Sequence, residues 1–247
     1  MNEPLIRLKN VTLHYGGDDV VKEIDLNVLA GETKIILGPS GVGKSTILKA
    51  ILGLLKPKAG KIFIENDEIT NMNEHQLVKA RLGMAMVFQN GALFDSMTVG
   101  ENVSYRLREH GLLVEDRIPV RVLEVLRFVG LEGALKLSPA QLSGGMKKRV
   151  AIARALAPDP KIFLFDEPTV GLDPINTYNI EQLILKLKAR NVTIVIVTHD
   201  IDSACLLGDS IVLLHEGKFI FEGTPGQLKQ SKDARVKAFL DPASVSS

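Results

Sequence analysis

Apolar residues along this chain fall into short runs whose period changes several times. Ile6 to Tyr15 and Val20 to Leu29 are rich in β-branched residues with partial alternation. They predict two antiparallel strands joined by Gly16-Gly17-Asp18-Asp19. Thr33 to Leu37 is a nearly continuous apolar run, short enough for a buried strand. From Lys44 to Leu54 the period becomes helical, with Ile47, Leu48 and Ile51 on one face. Residues 60–70 predict a hairpin. Asn73 with Gln76 forms a capping-box pattern that opens a helix to about Arg81, and Met84 to Phe88 predicts another buried strand.

From about 95 to 157 the character is helical. Thr98 with Glu101 is a second capping-box pattern, Val120 to Val129 is amphipathic, and Ser143 can cap a helix running through Leu156 to the break at Pro158-Asp159-Pro160. Strands and helices then alternate over Ile162–Phe165, Pro174–Ala189, Val192–Val197 and Ile201–Leu207, which implies a parallel sheet covered by helices. Ile211–Leu214 and Lys218–Phe221 flank a Glu216-Gly217 turn. Thr224-Pro225 is an N-cap and N1 pair for a short final helix, and the tail from Asp241 to Ser247 is expected to fray.

Composition narrows the class. The 247 residues suffice for one large domain or two lobes. A net charge of +1 implies no overall attraction to nucleic acid or lipid. The one cysteine, Cys205, cannot form an internal disulfide, which fits a reducing compartment. Met1-Asn2-Glu3-Pro4 has no apolar h-region, so no signal peptide is expected. A membrane span needs about 20 apolar residues, and runs such as Val192 to Val197 fall well short. The chain is therefore expected to be soluble, and if it drives transport another chain must form the pore.

The candidate chemistry sits where strands end. Gly38-Pro39-Ser40-Gly41-Val42-Gly43-Lys44-Ser45, followed by Thr46, fits the phosphate-binding loop between a strand and a helix. The glycines let backbone N–H groups converge on phosphates, Lys44 adds a cation, and the Ser45 hydroxyl can ligate Mg2+. Lys161 to Glu167 is an apolar strand ending in two carboxylates. Asp166 is placed to hold the metal beside the phosphates, and Glu167 to polarise the attacking water, its side chain directed elsewhere by strand alternation. His199 follows the strand Val192–Val197. It is read as a group for the γ-phosphate or the water, although a lone histidine also serves as a cap or core residue. Gln89 follows Met84–Phe88 and can reach the metal or the water, or else is a surface loop glutamine. Tyr15, before Gly16-Gly17, can stack on adenine, or else pack in a small β-layer.

Leu142-Ser143-Gly144-Gly145-Met146 lies between these two halves and opens a helix, a second anion-binding surface. The order of motifs resembles the ATP-binding cassette (ABC) ATPases over nearly the whole chain. The resemblance implies a P-loop NTPase core with a RecA-like parallel sheet, an antiparallel β-subdomain and an inserted α-helical subdomain, an α/β fold. The expected partition is 1–94 with 158–224 for the core, 95–157 for the helical subdomain carrying the Ser-Gly-Gly turn, and 225–247 for a short helix and tail. The cofactors implied are ATP and Mg2+. Two copies would face head to tail, each ATP lying between one chain's P-loop and Ser143, Gly144 and Gly145 of the other. Asp173 resembles the residue that communicates across that interface. The family usually ends this pentapeptide with Gln, which Met146 cannot imitate as a hydrogen-bonding group. Lys147, Lys148, Arg149 and Arg154 add positive potential, or form a solvated helix face.

A less specific resemblance narrows the system. Asn90 to Val99, Glu101-Asn102-Val103, Arg106 to His110 and Asp233 to Leu240 are similar to the ATPase subunit of Mla-type phospholipid transporters. That implies integral membrane permease subunits and an MCE-domain lipid-binding protein as partners, on the cytoplasmic face of the inner membrane, with no nucleic acid. Leu93, Phe94 and Met97 form a groove for a permease helix or pack within the helical lobe. Val236, Phe239 and Leu240 give the tail an apolar face for its own core or for the other subunit. The alternatives are an ABC ATPase for another cargo, a soluble ABC ATPase acting on nucleic acid or ribosomes, and a plain P-loop kinase.

Overall fold

The computed structural model describes residues 3–241. The residues Met1 and Asn2 used in the signal-peptide expectation, and all of the tail expected to fray except Asp241, lie outside the described residues. The chain divides into two compact units, residues 1–81 with 188–247, and residues 82–187.

The first unit opens with β1 (Pro4–Tyr15) and β2 (Asp18–Leu29), antiparallel as expected. Their turn is tighter than expected: Tyr15 already pairs with Asp18, so only Gly16 and Gly17 turn, both at positive φ. The fully buried β3 (Thr33–Leu37) leads into α1 (Lys44–Ile51). That helix stops short of the expected Leu54 because Gly53 turns left-handed at φ +65, where an added Cβ would lie 2.6 Å from a Leu77 methyl. β4 (Ala59–Ile64) and β5 (Asp67–Glu68) form the expected hairpin. Reciprocal bonds between Asn73 and Gln76 then open α2 (Glu74–Leu82).

The second unit pairs β6 (Met84–Val87) and β7 (Ile162–Asp166) in parallel, Met84 opposite Ile162. β6 ends one residue before the expected Phe88, whose side chain is exposed. Between these strands lie α3 (Val99–Glu109), α4 (Ile118–Phe128) and α5 (Gly144–Leu156), and α6 (Pro174–Lys188) follows β7. The Thr98–Glu101 capping box starts α3. Three-residue 3-10 turns at Glu115–Arg117, Glu132–Ala134 and Pro139–Gln141 connect the helices, the last with a capping box between Ser138 and Gln141.

The chain completes the first unit with β8 (Thr193–Thr198), α7 (Ile201–Leu207), β9 (Ser210–His215), β10 (Lys218–Gly223), α8 (Pro225–Lys229) and α9 (Ala234–Leu240). In this unit β3 lies between β8 and β9 and runs parallel to both, and all its positions are buried. The ammonium of Lys34, in this buried strand, pairs with Glu32 at 3.3 Å and Glu222 at 2.9 Å. Among the described residues two short helices follow β10 where one was expected. α8 starts on a Thr224–Gln227 capping box with Pro225 at its first turn. Val236 of α9 is fully buried against its own unit, and Phe239 and Leu240 are half-buried.

Asn102 fixes the segment between β6 and α3. Its fully buried amide accepts from Phe94 N at 2.8 Å and donates to the carbonyls of Phe94 (3.1 Å), Met97 (3.2 Å) and Thr98 (3.0 Å). Removing it strands several backbone groups at once. Asn102→Ala is expected to lower the unfolding free energy by about 2–3 kcal/mol, read from urea denaturation.

Candidate functional site

The phosphate loop of the first unit begins where β3 ends. Gly38 N donates to Thr198 O of β8 at 3.3 Å, which ties the loop to the sheet. Only glycine fits position 38, since a Cβ there would lie 2.5 Å from Leu214 O. Gly41 and Gly43 adopt positive φ, a backbone conformation that allows loop N–H groups to converge on an anion. Gly43 caps α1 with no side-chain hydrogen bond, so the first amides of that helix are not satisfied by a capping side chain. Lys44 is 5 % exposed, and its Nζ donates to Gly38 O and Pro39 O, both at 2.8 Å. The loop is thus folded around its own lysine, which fits an anion held by amides and one ammonium. Pro39, Val42, Ser45 and Thr46 are half-buried around this loop, while Ser40 is exposed.

Two other expected residues lie in this unit. Tyr15 is 58 % exposed at the end of β1, with Lys49 Nζ 5.5 Å from its ring centroid. An open aromatic face beside a cation suits a flat heterocycle better than a core position. His199 is exposed directly after β8. The cap of α7 is the next residue, Asp200, whose carboxylate accepts from Asp202 N and Ser203 N. His199 is therefore neither the cap nor a core residue.

In the second unit Asp166 ends β7 with 8 % exposure. Glu167 is directed by a different cause than strand alternation. The strand has ended, and Glu167 takes a left-handed φ of +47. A non-glycine residue there costs about 1–3 kcal/mol and tends to mark a site where the side-chain direction matters. Gln89 lies two residues past the end of β6 and is exposed, in a turn closed by Gly91 N donating to Phe88 O at 2.8 Å.

Ser143 caps α5, its Oγ accepting from Met146 N at 3.3 Å. Met146 thus serves this turn through its backbone. Ser143 and Gly144 are exposed, while Gly145 is buried. A Cβ at Gly145 would lie 2.2 Å from Asn176 Oδ1. Asn176 also donates its side-chain amide to Asp173 Oδ2, and Asp173 Oδ1 accepts from Ile175 N and Asn176 N at 3.0 Å each. These bonds hold the Asp173 carboxyl below its ordinary range, the Asn176 side chain foremost. Asn176 thus packs against Gly145 and hydrogen-bonds Asp173, which links the start of α5 to the start of α6 within the unit.

Three of the four basic residues of α5, Lys148, Arg149 and Arg154, are not a solvated face. Lys148 is 8 % exposed and donates to backbone carbonyls after β7, Arg154 donates to Gly91 O at 2.8 Å and Ala92 O at 2.7 Å, and Arg149 reaches Val129 O at 3.3 Å. The signal lay in helical spacing: Gly145, Lys148, Ile152 and Ala155 share one stripe of α5, so Lys148 stands among inward positions. Phe94 is 40 % exposed, with its ring 4.8 Å from Tyr105 and the Arg154 guanidinium 5.8 Å from its centroid. Leu93 and Met97 are half-buried. Among the described residues no helix is long and apolar enough to cross a membrane.

A strand–glycine loop–helix that encloses its own lysine defines a P-loop nucleotide-binding protein. Comparison places it further. The model of the ABC transporter family matches residues 21–170. The intermembrane phospholipid transport system ATP-binding protein MlaF of Haemophilus influenzae is 42% identical over 241 residues, 97% of this chain and 91% of that protein. The probable ribonucleotide transport ATP-binding protein mkl of Mycobacterium leprae is 39% identical over 237 residues, 96% of this chain and 68% of that protein. A dimeric post-hydrolysis structure of the ATP-binding cassette MJ0796 with ADP and Pi superposes with a TM-score of 0.82 at 38% identity, over 89% of this chain and 98% of that one. The chain belongs to the ABC transporter family. It is an ABC ATPase and binds ATP.

Gly144→Ala and Gly145→Ala should separate packing from helix propensity. A Cβ at Gly144 meets nothing nearer than Leu172 Cδ2 at 4.0 Å. Gly145→Ala is expected to lower stability by about 1–3 kcal/mol in urea denaturation, and Gly144→Ala to leave it equal or slightly higher.

Proposed function

We propose that this chain is the ATP-hydrolysing subunit of a lipid transporter of the Gram-negative envelope and works as a head-to-tail dimer. The observation that carries the dimer is α5. Its exposed Ser143-Gly144 start offers amides and a hydroxyl that suit an anion from outside the chain. In this reading the P-loop of one copy, Gly38 to Thr46 with Lys44, holds the triphosphate and Tyr15 stacks on the adenine. Ser143, Gly144 and Gly145 of the other copy contact the γ-phosphate, with Asp173 beside them.

Ser45, Gln89 and Asp166 would hold Mg2+. The buried Asp166 carboxylate and the half-buried Ser45 hydroxyl are hard oxygen donors of the kind this ion takes. When bound, the ion neutralises charge that develops on the phosphate oxygens. Glu167 orients the attacking water and accepts its proton, and His199 fixes the γ-phosphate or that water by a hydrogen bond. Loss of the γ-phosphate removes the group that both copies share, and the closed state opens. The helical subdomain, residues 95–157, joins the core, 1–94 with 158–224, through Gln89, and carries this motion to a permease.

The cargo and partners rest on the MlaF relative, whose name gives intermembrane phospholipid transport. The proposed partners are a second copy, membrane permease subunits and an MCE-domain lipid-binding protein, with the chain on the cytoplasmic face of the inner membrane. Phe94, held open on the surface by the Asn102 clamp, fits the permease contact.

Glu167→Gln is expected to lower kcat by about a hundredfold or more and to accumulate an ATP-bound dimer in size-exclusion chromatography. A mutant that stays monomeric in ATP would overturn the head-to-tail scheme. Purification from native membranes with mass spectrometry should bring down a multispanning permease, an MCE-domain protein and phospholipid. A periplasmic solute-binding protein in their place would replace the cargo. Phe94→Glu should abolish permease co-purification while ATP binding persists. Undiminished co-purification would remove Phe94 from that contact.

A further inference from the structure

Lys148 lies one turn along α5 from Gly144, on the buried face of the helix. A lysine carries three N–H donors and no acceptor. Here its ammonium meets three carbonyls, Glu167 O at 3.4 Å, Pro168 O at 2.8 Å and Val170 O at 2.7 Å. Burial pushes it down to about 8, while the Glu167 charge pulls the other way. An apolar residue would fill this inward position at a smaller desolvation cost. What the lysine adds is a fixed distance between α5 and one turn of backbone.

That turn carries the strained Glu167. Its own closing bond, Val170 N to Glu167 O, is long at 3.4 Å, and Pro168 has no N–H to contribute. The turn that carries the left-handed Glu167 also takes support from outside itself. Lys148 supplies it from the helix whose first residues are Gly144 and Gly145, and whose cap is Ser143. No other residue of α5 with a side-chain bond among the described residues reaches this turn.

We propose that Lys148 is a positioning residue that couples the two ATP sites of the dimer. It fixes the Glu167 turn of its own chain to the helix that contacts the ATP held by the other chain. This rests on the head-to-tail arrangement proposed above. Engagement of a phosphate by Ser143-Gly144-Gly145 sets the position of α5, and Lys148 transmits that position to the backbone that aims Glu167. Each Glu167 then reaches its working geometry only when the ATP on the opposite copy is in place. Hydrolysis is cooperative in ATP as a result.

The test uses the full chain with Lys148→Met, Lys148→Gln and Lys148→Arg. Steady-state hydrolysis is measured against ATP concentration, together with equilibrium binding of a fluorescent ATP analogue and thermal melting. The wild type is expected to show a Hill coefficient above 1. Lys148→Met should lower kcat by about ten- to a hundredfold with analogue affinity within about twofold, and bring the Hill coefficient to 1. Lys148→Arg should recover part of both, and Lys148→Gln less. Glu167→Gln is run alongside. If it forms no dimer in ATP, the head-to-tail arrangement falls and this inference with it. If it does form the dimer while folded Lys148→Met keeps wild-type kcat and cooperativity, only this inference falls. A kcat loss in all three variants that matches their loss of folded protein would likewise make Lys148 a purely structural residue.

Discussion

The first amides of a helix have no partner within the helix, and an anion placed on them is stabilised by those N–H groups and by the helix dipole. Two helices of this chain, one in each compact unit, begin on residues small enough to let an anion approach. α1 starts after Gly41 and Gly43 with no side-chain cap, and α5 starts on Ser143, Gly144 and Gly145. The surrounding structure keeps these two starts open. β3, β8 and β9 fix the entry to the first, and Lys44 fills its loop. Asn176 and Asp173 pack beneath the second.

Buried cations do a different task from the one their sequence positions suggest. Lys148, Arg154 and Arg106 each point at main-chain carbonyls, of the Glu167 turn, the Gly91 turn and Met84 respectively. A partly buried guanidinium or ammonium that ends on carbonyls acts as a strut. The Lys148 and Arg154 struts run to the segments that follow β7 and β6, where Glu167 and Gln89 sit, and the Arg106 strut ends on the first residue of β6. The phosphate loop relies on amides and on Lys44.

Much of this was legible from period and punctuation. The alternation of strands and helices defined the α/β class, and the capping residues Asn73, Thr98, Ser143 and Thr224 marked helix starts that the structure repeats. The ends were less legible, because they depend on tertiary contacts. α1 stops at Ile51 where Gly53 meets Leu77, and β6 stops at Val87 before a turn closed by Gly91. The direction of Glu167 was not legible at all, since a left-handed φ at a non-glycine residue leaves no local pattern in sequence. Lys148 was readable in principle from its place in the buried stripe of α5. A basic residue among Lys147, Arg149 and Arg154 nonetheless looks like one more solvated charge until the helix is docked.

The proposed head-to-tail dimer turns on one contact, between the P-loop of one copy and the start of α5 in the other. Ser40 and Ser143 are both exposed, and Cys205 is the one native cysteine. The most direct measurement is therefore cross-linking by a short bis-maleimide, which alkylates two thiols, of a chain carrying Ser40→Cys, Ser143→Cys, Cys205→Ser and Glu167→Gln. The head-to-tail contact predicts a covalent dimer that appears with ATP and requires both introduced cysteines. Cross-linking that is indifferent to ATP, or that joins the two cysteines within one chain, would contradict it.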